Sequence, residues 1–294
     1  MTNSSAGSAR CAVFVGPYTS GKTTLLESIL YQTEAIHRKG SIPAGNTVGD
    51  HSPEARARQM SVEPNFASCE FIGDKWSFID CPGSVELSRD AQTCLMAADL
   101  AVVVAAPEVE RALTLAPIFK FLEDYDIPHV VFINKMDKAT SRVKDLLEAL
   151  QSVSNKPLVL RQVPIRDGED VTGFVDLVSE RAWRYQENKQ SDLIEMPETV
   201  LDREDEARQE MLESLADFDD VLLEQLLEDK TPATEEIYEQ LTKNLAHDNI
   251  VPVLIGSAEQ GHGITRLMKV LRHEGPHVET TADRLGIPSD PELA

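Results

Sequence analysis

Residues 16–23 read Gly-Pro-Tyr-Thr-Ser-Gly-Lys-Thr, the spacing at which a glycine-rich loop turns its backbone N–H groups onto phosphate. Gly16 and Gly21 permit the turn, Lys22 brings an ammonium to the β and γ phosphates, and Thr23 offers a hydroxyl to magnesium. At ordinary residue frequencies the pattern would arise by chance in roughly one chain per hundred of this length. Gly16, Pro17, Tyr18, Thr19, Ser20, Gly21, Lys22, Thr23 and Thr24 form the expected phosphate cradle. Asp80 and Gly83, within Asp-Cys-Pro-Gly, add a carboxylate that can hold magnesium through water and an amide that can meet the γ phosphate. Residues 134–137, Asn-Lys-Met-Asp, supply a third set. Asp137 can accept both the N1 and the exocyclic amine protons of guanine, Asn134 can bond loop and purine, and the stem of Lys135 can cover the ring. A site built on such bonds leaves buried polar groups unpaired when adenine enters, which separates GTP from ATP.

These groups must be positioned by elements the sequence also marks. Short unbroken apolar runs at 11–15, 76–79, 100–105, 130–133 and 251–255 read as buried parallel strands. Helical spacing follows at 23–31, 87–97, 112–125, 141–150 and 263–271. Strand followed by helix, repeated, predicts an α/β fold with a doubly wound, mainly parallel sheet and ligand sites at the carboxyl ends of its strands. All three motifs fall at such ends. Gly256, Ser257 and Ala258 follow the last strand and are expected to turn amides toward the guanine carbonyl.

The segment 156–249 breaks the rhythm with a hairpin pattern around Asp167 and Gly168 and two acidic helical stretches at 202–228 and 234–246. Because a buried-strand run resumes at 251, this block reads as an α+β subdomain inserted into a nucleotide-binding domain made of 10–155 and 250–275. Residues 1–9 and 276–294 lack a clear apolar period and read as a flexible tail and as a tail or linker.

The chain of 294 residues is 41% apolar, enough for a substantial core. Its formal charge of −22 opposes bulk attraction to DNA or to an anionic membrane. Cys11, Cys69, Cys81 and Cys94 lack the paired spacing of a zinc site, and no run of about 20 apolar residues appears. A reducing cytoplasm is the expected setting.

With these residues together, the chain resembles the GTPase domain of translation elongation factor G and its paralogues over nearly all of 9–275. The segment 47–62, TVGDHSPEARARQMSV, is similar to the family's first switch, with Arg58 and Ser61 on its Arg and its magnesium-binding Thr. Residues 168–185, GEDVTGFVDLVSERAWRY, resemble part of the family's inserted subdomain, and GSAEQGHGITRLMKVL resembles its last loop and helix. The resemblance implies GTP hydrolysis on the ribosome, with magnesium as cofactor and contact between the acidic insertion and the ribosomal stalk protein. It also implies further domains after the last helix, so the chain is expected to be an isolated N-terminal fragment or a very short paralogue. Departures fall on the catalytic side. Ser84 stands where the family has its water-orienting His, Thr19 where the loop usually carries Asp, and Ser61 where it carries Thr. Lys22, Gly83 and Ser84 are thus the expected catalytic positions. Alternative readings are a nucleotide-dependent binding module with little hydrolysis, a peptide-chain release factor, or a ribosomal-protection protein.

Overall fold

The computed structural model describes residues 9–287. In chain order the elements are β1 (Arg10–Val15), α1 (Lys22–Gln32), α2 (Pro53–Arg58), β2 (Asn65–Phe71), β3 (Asp74–Asp80), α3 (Ser88–Met96), β4 (Leu100–Ala105), α4 (Ala116–Asp124), β5 (His129–Ile133) and α5 (Val143–Gln151). They are followed by β6 (Leu158–Leu160), β7 (Gln162–Asp167), β8 (Asp170–Asp176), β9 (Arg181–Gln186), β10 (Lys189–Ile194), α6 (Leu201–Ala216), α7 (Asp220–Leu227), α8 (Thr234–Ala246), β11 (Val251–Ile255), α9 (Ile264–Glu274) and α10 (Val278–Arg284).

A seven-stranded sheet runs β2-β3-β1-β4-β5-β11-β6. The edge strand β2 is antiparallel, and the other pairings are parallel. Each central strand is buried on both faces, so apolar residues occupy both parities of the pleat. Val13, Ala101, Val103 and Val131 pack under helices that contribute Leu95, Phe119, Leu122 and Leu146. Phe14, Leu100, Val102 and Val130 pack against Leu25, Ile29, Leu267 and Met268 on the opposite face. Helices thus lie on both faces, and the expected doubly wound sheet is present.

The inserted block contains an antiparallel sheet ordered β10-β9-β8-β7 and the helices α6, α7 and α8, whose Leu212, Leu215, Leu222, Ile237 and Leu241 close over Leu177 and Val178. The expected hairpin is β7–β8, but it extends into β9 and β10. The acidic stretch 202–228 divides into two helices. Asp219 caps the second, accepting N–H bonds from Val221 at 3.1 Å and Leu222 at 3.0 Å.

Two expected boundaries shift. Leu158–Leu160 pairs with β11 in the large sheet, although it lay within the segment read as inserted. Part of the segment read as a C-terminal tail forms α10. Thr281 donates its hydroxyl to buried Asp99, and Arg284 donates to the Ala98 carbonyl at 2.7 Å. Polar anchors hold this helix, so a search for apolar period passes over it. The expected N-terminal tail, apart from Ala9, and residues 288–294 lie outside the described residues.

Candidate nucleotide site

The phosphate loop leaves the buried end of β1 and enters α1 through Gly21, whose φ is 96°. A Cβ there would sit 2.4 Å from Asn134 Nδ2, so the position requires glycine both for its backbone and for its neighbour. Lys22 and Thr23 open α1 and are both buried. Lys22 Nζ donates to the Gly16 carbonyl at 2.9 Å and the Pro17 carbonyl at 3.1 Å, which folds the ammonium into the loop. Burial pushes its pKa below the ordinary lysine value, and nearby Asp80 opposes the shift. Ser20 is buried, Thr24 half-buried, and Tyr18 and Thr19 are exposed on the rim.

The expected metal ligands converge. Thr23 donates its hydroxyl to Asp80 Oδ2 at 2.6 Å and lies 3.3 Å from Ser61 Oγ. Asp80 Oδ1 is buried without a hydrogen-bond partner. Burial raises this carboxyl to about 6, against the opposing pull of Lys22. A buried, partnerless carboxylate oxygen beside two hydroxyls is a donor set that fits one magnesium ion completed by phosphate and water.

Sequence reading missed the groups that hold Ser61 there. Ser61 donates to Asp50 Oδ2 at 3.2 Å, and Asn65 Nδ2 donates to Asp50 Oδ1 at 2.9 Å. On α1, Glu27 is buried and accepts the backbone N–H of Gly40 at 2.8 Å and that of Val48. The 47–50 block hinted at Asp50. Nothing in sequence distinguished Glu27 from a solvated helix residue. Arg58, matched to the family's first-switch Arg, is exposed on α2.

Asn134 joins the base loop to the phosphate loop. Its Nδ2 donates to the Ser20 carbonyl at 2.9 Å, while its Oδ1 accepts from Lys135 N and Ala258 N, each at 2.8 Å. Lys135 Nζ donates to the Thr19 carbonyl at 2.6 Å, laying the stem along the loop. Asp137 Oδ1 is buried and has no hydrogen-bond partner, an acceptor of the kind that guanine's donor edge would satisfy.

One expected role changes. The Gly256, Ser257 and Ala258 amides, read as partners of the guanine carbonyl, donate instead to Ile133 O, His262 O and Asn134 Oδ1. These amides set the shape of the base loop, because each backbone donor buried at this turn takes a protein acceptor.

Gly83 packs against the phosphate loop so closely that a Cβ would lie 2.4 Å from Lys22 Nζ and 2.7 Å from Tyr18 N. Ser84 precedes a 3-10 turn, Val85–Leu87, without capping it by its side chain. The insertion meets the base loop through Tyr185 on β9, which stacks on His262 with ring centroids 4.5 Å apart and planes 3° apart. Asn188 N also donates to Gln260 O at 2.9 Å.

Residues 8–277 match the family described as elongation factor Tu GTP binding domain. The chain belongs to that family. This GTP-binding domain is 48% identical over 290 residues to an elongation factor G-like protein of Synechocystis sp., covering 99% of this chain and 43% of that protein. It is 34% identical over 255 residues to elongation factor G of Pseudothermotoga lettingae, covering 85% and 36%. A crystal structure of ttk003000868 from Thermus thermophilus matches with a TM-score of 0.86 at 28% identity, covering 95% of this chain and 41% of that one. The domain therefore spans about two-fifths of the length of the curated relatives it matches. It is a translational GTPase domain related to elongation factor G. No helix among the described residues is long and apolar enough to cross a membrane.

Proposed function

We propose that this domain binds GTP and GDP with magnesium and hydrolyses GTP as the nucleotide-binding part of a cytoplasmic factor that works on the ribosome in translocation. The observation that carries this reading is Asp137, a buried acceptor without a protein partner, on a loop that Asn134 fastens to the phosphate cradle. Lys22 and the loop amides would hold the phosphates, and Thr23, Ser61 and Asp80 the magnesium. Bound magnesium would neutralise charge on the phosphate oxygens. The chain's own work is positioning, with Gly83 bringing an amide against the loop where the γ phosphate would lie.

A second reading, a nucleotide-gated binding module with little hydrolysis, is favoured by one observation. Ser84 occupies the position at which the family's imidazole orients water, and a hydroxyl on so short a stem cannot substitute for it. In either case the acidic insertion would carry the contact to the ribosomal stalk protein. Exposed Val221, Leu223 and Leu227 on α7 offer apolar anchors amid carboxylates. Release-factor or ribosomal-protection roles would use the same nucleotide site.

Calorimetry with GTP, GDP and ATP, followed by multiple-turnover phosphate release with and without ribosomes, tests the reading. Guanine nucleotides should bind and ATP should not, and ribosomes should accelerate release. Equal affinity for ATP would overturn the base assignment. Binding without ribosome-stimulated release would select the module.

A further inference from the structure

Arg111 touches the phosphate loop from a direction that none of the nucleotide motifs covers. It lies on the 3-10 turn Val109–Leu115 between β4 and α4. Its Nη2 donates to the Tyr18 carbonyl at 2.8 Å and to Thr19 Oγ1 at 3.0 Å. Its carboxylate partner, Glu108, is 3.3 Å from Nη1 and half exposed, so water screens the pair and the guanidinium keeps most of its field.

Arg111 shares one cavity of about 550 Å³ with Gly16, Pro17, Tyr18, Gly83 and Ser84. A Cβ on Gly83 would meet both Lys22 Nζ, at 2.4 Å, and Tyr18 N, at 2.7 Å, so both border Gly83, while the Arg111 guanidinium holds the Tyr18 carbonyl. Lys22 would hold the phosphates from within the loop, and Arg111 is bonded to the same loop at Tyr18 and Thr19.

We propose that Arg111 is a built-in catalytic arginine, whose guanidinium turns from the loop rim onto the γ phosphoryl group and the departing oxygen during hydrolysis. This rests on the reading of the domain as a GTP hydrolase. In the step, a water oxygen bonds to the γ phosphorus and the bond to the β–γ bridging oxygen breaks. The electron pair of that bond stays on the β phosphate of GDP, and the water's proton passes to a phosphoryl oxygen, giving GDP and inorganic phosphate. Arg111 transfers no proton. Its five fixed donors meet charge that builds on the bridging and equatorial oxygens.

Thr19 is what leaves Arg111 free for this. An Asp at this position, as in the related factors, would face the guanidinium directly and pair with it. The Thr19 hydroxyl accepts one bond and leaves the positive charge uncancelled. Thr19 is exposed on the loop rim, where its Oγ1 faces Arg111 at 3.0 Å. Ser84, where the resemblance places an imidazole, and the Arg111 guanidinium line the same cavity.

The test uses the chain as it is, without ribosomes. It combines single-turnover hydrolysis of γ-labelled GTP, GDP affinity, and trapping of fluorescent GDP by aluminium fluoride, which mimics the transferring phosphoryl group. Arginines supplied to such sites accelerate hydrolysis by about 10³–10⁵. Arg111→Ala should slow hydrolysis at least tenfold and abolish trapping while GDP affinity changes by less than about threefold. Arg111→Lys should not restore trapping, because a point charge lacks the planar fork. Thr19→Asp should slow hydrolysis by drawing the guanidinium into an ion pair.

Three outcomes overturn the proposal: wild-type protein that binds GDP but never traps aluminium fluoride, Arg111→Ala hydrolysing at the wild-type rate, or a rate loss matched by an equal loss of GDP affinity. Wild-type protein that binds no guanine nucleotide would instead overturn the reading of the whole site.

Discussion

The two ends of the nucleotide cleft are built to different standards. At the base end Asn134, Lys135 and Asp137 keep the family's residues, and the loop is fixed by bonds from Asn134 to Ser20 and Ala258. At the γ-phosphate end Thr19, Ser61 and Ser84 all depart from the family pattern, and Arg111 reaches the loop from the turn after β4. The contrast teaches that recognition and turnover draw on separate side chains. As proposed, the base end would reject a wrong ligand through unpaired buried groups, and this depends on every partner being present. The γ end only has to present charge and a held water, which several arrangements can supply.

The comparison breaks most visibly at Asp137. Asp137→Asn should weaken GDP binding by about a hundredfold, since a charge-assisted pair is replaced by a clash of donors. Xanthosine diphosphate, whose edge carries an oxygen in place of the amine, should recover affinity for the variant. Calorimetry with both nucleotides on both proteins reads this directly, and a variant with unchanged preference would remove Asp137 from base recognition.

A smaller effect is expected at Asp80. Its raised pKa means that burial disfavours the anion, so the metal-holding form is lost as pH falls through about 6. At pH 5 about nine-tenths of this carboxyl is protonated. Magnesium should then tighten GDP binding about tenfold less than at pH 7.5. Magnesium titrations at both pH values check this, and Asp80→Asn should erase the difference between them.

The smallest effect sharpens the γ end. Ser84→His should raise hydrolysis no more than about threefold without ribosomes and more with them, because an imidazole contributes only when a partner fixes its loop. Single-turnover phosphate release measures it. A large gain without ribosomes would show that the loop is already ordered for catalysis.

What sequence disclosed follows from how many residues share each signal. The central strands repeat apolar residues on both parities, and the phosphate and base motifs each concentrate rare residue types at strand ends, so fold and cleft were legible. Strand β2 was not, because an edge strand with one solvated face carries a mixed pattern. Helix α10 escaped because Thr281 and Arg284 bind a buried Asp and a carbonyl rather than burying an apolar face. Arg111 and Glu27 were invisible, and Asp50 no more than hinted at, for a related reason. Each reaches its partner through a fold contact whose sequence separation is set only by topology, as in the 93-residue gap between Arg111 and Tyr18. The protein acceptors of the Ser257 and Ala258 amides were not legible, because sequence shows that a turn has donors but not which acceptors claim them.

The stack of Tyr185 on His262 and the bond from Asn188 to Gln260 give the insertion a mechanical standing of its own. Residues 257–262 are held on one side by Asn134 and on the other by Tyr185 and Asn188 of the insertion. A displacement of the insertion's sheet would therefore reach residues 257–262 through Tyr185 and Asn188. If the domain works as proposed, a partner on the insertion would alter the residence time of a bound nucleotide with no contact to base, sugar or phosphate.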